Sequence, residues 1–151
     1  MTVRVASPVG GRVVPLAEVP DPVFAQAMVG PGIAVDPERA PADAVSPVDG
    51  TVVTLHPHAF VVATDTGPAV LVHLGIDTVK LKGEGFTLHV VKGESVRAGQ
   101  PVVGWDPGKI EAAGYSPVCP VIALDAQPDE LGEQRASGAV EAGAPLFTWH
   151  R

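Results

Sequence analysis

Two sequence motifs occur twice each in this chain, and that repetition constrains the fold more than any other feature. Ser7-Pro8-Val9-Gly10-Gly11-Arg12-Val13-Val14-Pro15-Leu16 and Ser46-Pro47-Val48-Asp49-Gly50-Thr51-Val52-Val53-Thr54-Leu55 share the pattern S-P-V-x-G-x-V-V-x-L. Val96-Arg97-Ala98-Gly99-Gln100-Pro101 and Val140-Glu141-Ala142-Gly143-Ala144-Pro145 share V-x-A-G-x-P, followed each time by two apolar residues, one further residue and a tryptophan, Trp105 or Trp149. Two early and two late half-motifs predict a duplicated unit with pseudo-twofold symmetry. In S-P-V-x-G, the proline is expected to start an extended strand and the glycine to make a tight turn, after which V-V-x-L re-enters the sheet. In V-x-A-G-x-P, the glycine supplies a turn of positive φ and the proline opens the next strand. Units of this kind predict an all-β chain, an antiparallel β-sandwich built from short strands.

The rest of the composition agrees. One domain over residues 1–151 is expected, because 151 residues with 46% hydrophobic and 18% charged content can bury a substantial core. Seventeen glycines and sixteen prolines leave little room for long helices. Only two short segments read as helical, Pro107 to Ala113 and Pro128 to Ala136, the second starting on a proline followed by Asp129 and Glu130. The Pro/Ala/Asp-rich stretch from Pro31 to Ser46 reads as a surface excursion. A net charge of −7 argues against nucleic acid and suggests a basic partner, or none at all. The single cysteine, Cys119, excludes an internal disulfide framework, fits a reducing compartment and reads as a small core residue. No apolar signal core and no run of 18 apolar residues is present, so no direct membrane insertion is expected. Trp105 and Trp149, at equivalent repeat positions, are expected to close the core from two sides, and His89 to face solvent.

Chemistry concentrates in Val70–Phe86, V-L-V-H-L-G-I-D-T-V-K-L-K-G-E-G-F, read with Pro57-His58-Ala59-Phe60-Val61-Val62. A histidine among apolar strand residues needs a partner or a purpose. A nucleophilic imidazole must be uncharged and held in one tautomer, usually by an oxygen that accepts the proton of the other ring nitrogen. Gly75 lacks a Cβ and can bring its carbonyl close to His73; Asp77 can orient a ring or meet a cationic partner. His58 is placed to donate a hydrogen bond to an anion carried on His73. Gly83 and Gly85, flanking Glu84, allow a sharp loop.

These residues carry a resemblance. The His73 block, His58-Ala59-Phe60, Val19-Pro20-Asp21-Pro22-Val23-Phe24-Ala25 and Met28-Val29-Gly30-Pro31-Gly32-Ile33-Ala34 resemble the glucose-family EIIA domain of the bacterial sugar phosphotransferase system, over about residues 3 to 149. That resemblance implies a compact antiparallel β-sandwich with a duplicated barrel-sandwich hybrid motif, and a soluble cytoplasmic phosphocarrier. It implies that His73 accepts a phosphoryl group on Nε2 from the phosphohistidine of HPr and passes it to a cysteine on the EIIB domain of a sugar permease, glucose or N-acetylglucosamine being the sugars in view. It further implies that His58 hydrogen-bonds the phosphoryl group, that the Gly75 carbonyl holds the other nitrogen of His73, that Asp21 and Asp77 meet a basic side chain of HPr, and that Phe24 and Leu71 line an apolar depression. The chain departs from the pattern at His56, which stands where a threonine often supports the second histidine; His56 is assigned to solvent or to a weak supporting role. No cofactor is required, with zinc at His58 and His73 in a partner complex left open, as are regulatory partners.

Two other readings compete. His56-Pro57-His58 and His73 to Asp77 supply H-x-H and H-x-x-x-D, the elements of a lysostaphin-like zinc hydrolase, although in reversed order. Lys80 and Lys82 superficially resemble the lysine of a biotinyl or lipoyl carrier and are assigned instead to strand-surface charge.

Overall fold

The computed structural model describes residues 2–135 and 137–151. In chain order the strands are β1 (Thr2–Ala6), β2 (Gly11–Pro15), β3 (Gly32–Pro37), β4 (Ala42–Val45), β5 (Gly50–His56), β6 (Ala59–Ala63), β7 (Ala69–His73), β8 (Thr87–Leu88), β9 (Ser95–Val96), β10 (Pro101–Trp105), β11 (Cys119–Ala123), β12 (Leu131–Gly132), β13 (Ala139–Val140) and β14 (Pro145–His150). Two helices, α1 (Pro22–Ala25) and α2 (Pro107–Ala112), each begin on a proline behind an aspartate cap, Asp21 and Asp106.

An eight-stranded sheet runs β13-β2-β3-β11-β7-β6-β5-β9, and two three-stranded sheets run β1-β14-β12 and β4-β10-β8. The pairings are antiparallel. This order is its own mirror in sequence terms. The continuous run β4–β10 forms one unit. The other unit is split between the chain ends, β1–β3 from the N-terminus and β11–β14 from the C-terminus, and the pseudo-twofold axis falls between β7 and β11. The duplication predicted from the motifs is therefore present, with its two halves interlocked.

Equivalent hydrogen bonds make the symmetry explicit. Ala6 N–H donates to Pro47 C=O and Val45 N–H to Pro8 C=O, both at 2.9 Å. Ser7 N–H donates to Ala144 C=O and Ser46 N–H to Gln100 C=O, both at 2.8 Å. The Ser7 and Ser46 hydroxyls, fully buried, donate to the carbonyls of Val9 and Val48 at 2.7 Å each. Gly99 and Gly143 turn the chain at φ +91° and +87°, and Pro101 and Pro145 open β10 and β14, as expected from the V-x-A-G-x-P motif.

The S-P-V-x-G motif works differently from the expectation. Ser-Pro-Val forms the bend between two strands, and the glycine is the first residue of the next strand, not a turn. Gly11 and Gly50 are required because a Cβ would lie 2.0 Å from Asp36 C=O and 2.1 Å from Ala63 C=O, respectively. Other assignments also change. Pro31–Ser46 is no excursion: β3 lies between β2 and β11 with Ile33, Ala34 and Val35 buried, and Ala44 of β4 is fully buried. Its prolines, Pro31, Pro37 and Pro41, sit at or beside strand ends. The second helix is only a 3-10 turn, Pro128–Glu130, because Leu131 and Gly132 pair with Trp149 and Thr148; Ala136 lies outside the described residues. Helix α1 and the 3-10 turns Leu16–Glu18 and Thr78–Leu81 escaped a pattern search, being too short for periodicity. Lys80 and Lys82 lie on that last turn and at its end, so they are not strand residues. His89 is exposed, as expected, and on that surface its Nε2 lies 2.8 Å from Asp43 Oδ1.

The main core fills the space between the large sheet and the two small ones. Val13, Val35, Phe60, Val62, Val72, Cys119 and Val121 face Val5, Val103, Trp105, Phe147 and Trp149 across it. Trp105 and Trp149 are 3% and 0% exposed, and their indole N–H groups are the buried side-chain polar atoms without a partner among the described residues. Burial pushes the Cys119 thiol far up, so it stays protonated and inert. A second, smaller cluster, Val19, Phe24, Ala34, Ile76, Val118 and Ile122, covers the outer face of the large sheet. The two-residue alternation of β7 divides accordingly, Val70 and Val72 pointing to the main core and Leu71 to the outer cluster, which sends His73 outward as well.

The two serine bends should be worth similar amounts. Ser7→Ala and Ser46→Ala each leave a buried carbonyl without its donor and are expected to cost about 1–3 kcal/mol in denaturant unfolding; a negligible loss at either site would contradict the equivalence drawn here.

Candidate functional site

Two adjacent strand ends build the site. Ala59 of β6 sits directly opposite His73 of β7, so His58, one residue before β6, and His73, the last residue of β7, meet at the same edge. Neither histidine is interior to its strand, as the apolar pattern alone suggests for His73. Leu74 N–H donates to His58 C=O at 2.7 Å and ties the two segments just beyond the pairing. The rings of His58 and His73 stand edge to face, with centroids 5.3 Å apart and planes at 73°. Ala59 is small and buried, which leaves space above it for both rings.

The tautomer of His73 follows from its partner. Its Nδ1 lies 2.6 Å from the carbonyl oxygen of Gly75. A carbonyl only accepts, so Nδ1 carries the proton and Nε2 of the neutral ring presents a lone pair. This contact requires Gly75: its φ is +85°, and a Cβ there would lie 2.6 Å from Thr78 Cγ2 and 3.0 Å from Ser116 C=O. Asp77 follows in the left-handed region at φ +61° and reverses the chain into the 3-10 turn.

Burial, the largest influence, lowers the pKa of His73 below the ordinary imidazole value of 6.5; the hydrogen bond to Gly75 and the charges of Asp21 and Asp77 pull the other way. His58 is lowered too, first by burial and then by the charges that His73 and His56 would carry. Both rings are therefore neutral at pH 7. His56 is exposed and stacks on His58, with centroids 5.7 Å apart and planes at 25°.

An apolar floor adjoins the histidines. The Phe24 ring packs 5.1 Å from His73, centroid to centroid, and belongs to the same cluster as Ile76, Val118 and half-buried Leu71. Asp21 places Phe24 there, because its carboxylate accepts from Val23 N–H at 2.9 Å and caps α1. Next to Phe24 and Thr78 in sequence, Val23 and Val79 are exposed. The structure thus brings together His58, His73, Gly75, Asp21, Asp77, Phe24 and Leu71, with His56 at the margin. Sequence reasoning missed Thr78, a fully buried hydroxyl that donates to Leu74 C=O at 2.7 Å. Its signal was a threonine between exposed Asp77 and Val79 whose burial no strand periodicity announces.

The hydrolase alternative finds no support. Among the described residues no group of three or more His, Cys, Asp or Glu side chains gathers as a metal-ligand set. His56 and His58 stack face to face and do not converge on a point.

Residues 3–128 match the family model described as phosphoenolpyruvate-dependent sugar phosphotransferase system, EIIA 1. The glucose-specific EIIA component of Oceanobacillus iheyensis is 44% identical over 122 residues, covering 80% of this chain and 73% of that protein. The glucose-specific EIICBA component of Streptococcus pneumoniae is 50% identical over 116 residues, covering 76% of this chain and 16% of that protein. This chain spans about a fifth of the length of such multi-component relatives. The solved structure of glucose permease IIA from Mycoplasma capricolum superposes with a TM-score of 0.88 at 33% identity, covering 98% of this chain and 96% of that one.

Two measurements follow from the site's electrostatics. In NMR titration both His58 and His73 should titrate below 6.5, the unperturbed value. Because their folded pKa values lie below the unfolded ones, the unfolded chain takes up protons first, and the pair should destabilise the fold as the pH drops below about 6.5. Gly75→Ala should cost about 1–3 kcal/mol from the φ constraint alone, read as a lowered urea midpoint.

Proposed function

This chain belongs to the EIIA 1 family of the phosphoenolpyruvate-dependent sugar phosphotransferase system, and from that premise we propose that it carries a phosphoryl group on Nε2 of His73, taken from the phosphohistidine of HPr and handed to a cysteine of an EIIB permease domain. The observation that carries this reading is the Nδ1–Gly75 hydrogen bond, which leaves Nε2 as the free nucleophile of a neutral ring. In the first step the Nε2 lone pair attacks phosphorus. The new Nε2–P bond forms as the N–P bond of the donor breaks, and the donor imidazole keeps that electron pair. The phosphorylated His73 ring carries the Nδ1 proton and so stays bound to Gly75. In the second step a cysteine thiolate attacks phosphorus and Nε2 leaves with its electron pair, restoring the starting state.

His58 stands at the right place to donate to a phosphoryl oxygen, and a neutral ring can do so through one N–H. Catalysis is positioning plus charge stabilisation, which calls for no metal. Asp21, Asp77 and the net charge of −7 suit transient docking of a basic donor, and the apolar floor of Phe24, Leu71 and Ile76 gives it a dry contact. EIIB as acceptor agrees with relatives that join EIIB, EIIC and EIIA components in one chain. Those relatives are named for glucose, mannose and beta-glucosides, so the sugar is set outside this domain. We place the reaction in the cytoplasm, where the lone thiol stays reduced.

The test is incubation with enzyme I, HPr and phosphoenolpyruvate, followed by intact mass and phosphosite mapping. One acid-labile phosphate is expected on the wild type and none on His73→Ala. His58→Gln should still accept phosphate at His73 but slow transfer to EIIB by about a hundredfold. Normal onward transfer by His58→Gln would remove the role given to that ring.

A further inference from the structure

The reading of His73 as nucleophile depends on a carbonyl being held in one place. Gly75 itself contributes no side chain to hold it, and its φ of +85° is one that glycine leaves easily. The two peptide units that flank Gly75 are nevertheless both pinned. In the Gly75–Ile76 unit, Ile76 N–H donates to Ser116 C=O at 2.9 Å. A trans peptide points its N–H and C=O in opposite directions, so this bond turns the Gly75 carbonyl toward His73. In the Leu74–Gly75 unit, the Leu74 carbonyl accepts from Thr78 Oγ1–H at 2.7 Å.

We infer that Thr78 is a positioning residue for phosphoryl transfer, fixing through Leu74 the Gly75 carbonyl that selects the reactive tautomer of His73. Thr78 is the one side chain in this clamp; every other member is backbone. It is fully buried, so its hydroxyl has no water to turn to. Its methyl group lies 2.6 Å from where a Cβ on Gly75 would stand, so the residue packs directly against Gly75. Leu74, whose carbonyl it holds, is fully buried and donates its own N–H to His58 C=O. One hydroxyl thus steadies the segment that links the two histidines.

The chemical consequence concerns which nitrogen is free. If the Gly75 carbonyl drifts, the Nδ1 proton loses its acceptor and the ring can move that proton to Nε2, which removes the lone pair that attacks phosphorus. The cost then falls on the rate of phosphoryl acceptance, beyond any loss of stability.

The inference rests on the phosphocarrier reading, and its test separates the two. Thr78→Val keeps the shape without the hydroxyl; Thr78→Ser keeps the hydroxyl without the methyl; Thr78→Ala removes both. Long-range ¹H–¹⁵N NMR of the imidazoles reports the His73 tautomer in each folded protein without any phosphoryl donor, and the initial rate of phosphorylation by phospho-HPr reports function. Wild type and Thr78→Ser should show Nδ1–H at His73 and similar rates. Thr78→Val and Thr78→Ala should show a rise in the Nε2–H form and an acceptance rate lower by about tenfold or more. If Thr78→Val does not fold, the Ser–Ala pair isolates the same hydroxyl. A wild-type tautomer and rate in Thr78→Ala overturns the inference, as does an equal fall in the Ser and Ala variants, which would assign the effect to the methyl group. Absence of phosphorylation in the wild type itself overturns the carrier reading, while the tautomer comparison still decides the role of Thr78 in holding the ring.

Discussion

Everything in this structure hangs on the place where two Ser-Pro-Val bends cross. Ala6 N–H bonds to Pro47 C=O and Val45 N–H to Pro8 C=O, each at 2.9 Å, so each bend supplies the acceptor for the strand that leads into the other. The buried Ser7 and Ser46 hydroxyls close the same bends from within. Proline suits this position because its carbonyl is free while it has no N–H to satisfy. The interaction joins a contiguous unit, β4–β10, to one assembled from both ends of the chain. Residues of both units fill one continuous core beneath the eight-stranded sheet.

The functional site exploits what the symmetry leaves over. The large sheet buries one face in the main core and offers the other to a small apolar cluster and to solvent. On β3 and β11 that outer face is apolar, with Ala34 and Ile122 under Phe24. On β7 the outward position one pleat beyond Leu71 is His73, and the β5–β6 turn brings His58 beside it. The His73 ring thus stands at the end of a strand that is paired on both sides, between β11 and β6. Pairing on both sides matters because a misplacement of a nucleophile by about 1 Å can cost on the order of a hundredfold in rate.

The electrostatic balance at His73 is set by opposing forces of known origin. Burial against Phe24 favours the neutral ring, whereas the Gly75 carbonyl, Asp21 and Asp77 favour the charged one; burial prevails. The same carboxylates that resist neutrality would meet the basic donor proposed above, so burial rather than charge keeps the ring nucleophilic. His56 adds a third imidazole stacked on His58, and its charge would further disfavour a charged His58.

Much of this was legible in the residues. The repeated motifs determined that the fold is duplicated and all-β, because turns that demand Gly and Pro leave their spacing in any sequence that uses them. The block around His73 marked the site, since a histidine, a glycine two positions on and an acid two further can be read locally. Tertiary structure alone decided the rest. Pro31–Ser46 looked like surface and became β3 and β4, because pairing with β2, β11 and β10 outweighs weak local propensity. Gly11 and Gly50 looked like turns and are strand residues, because the backbone of a neighbouring strand passes 2.0–2.1 Å from where a Cβ would stand. The approach of His58 to His73, the floor under them and the burial of Thr78 come from strand register and from contacts between segments distant along the chain. Those depend on which surfaces meet in three dimensions, and no local pattern of residue types encodes that.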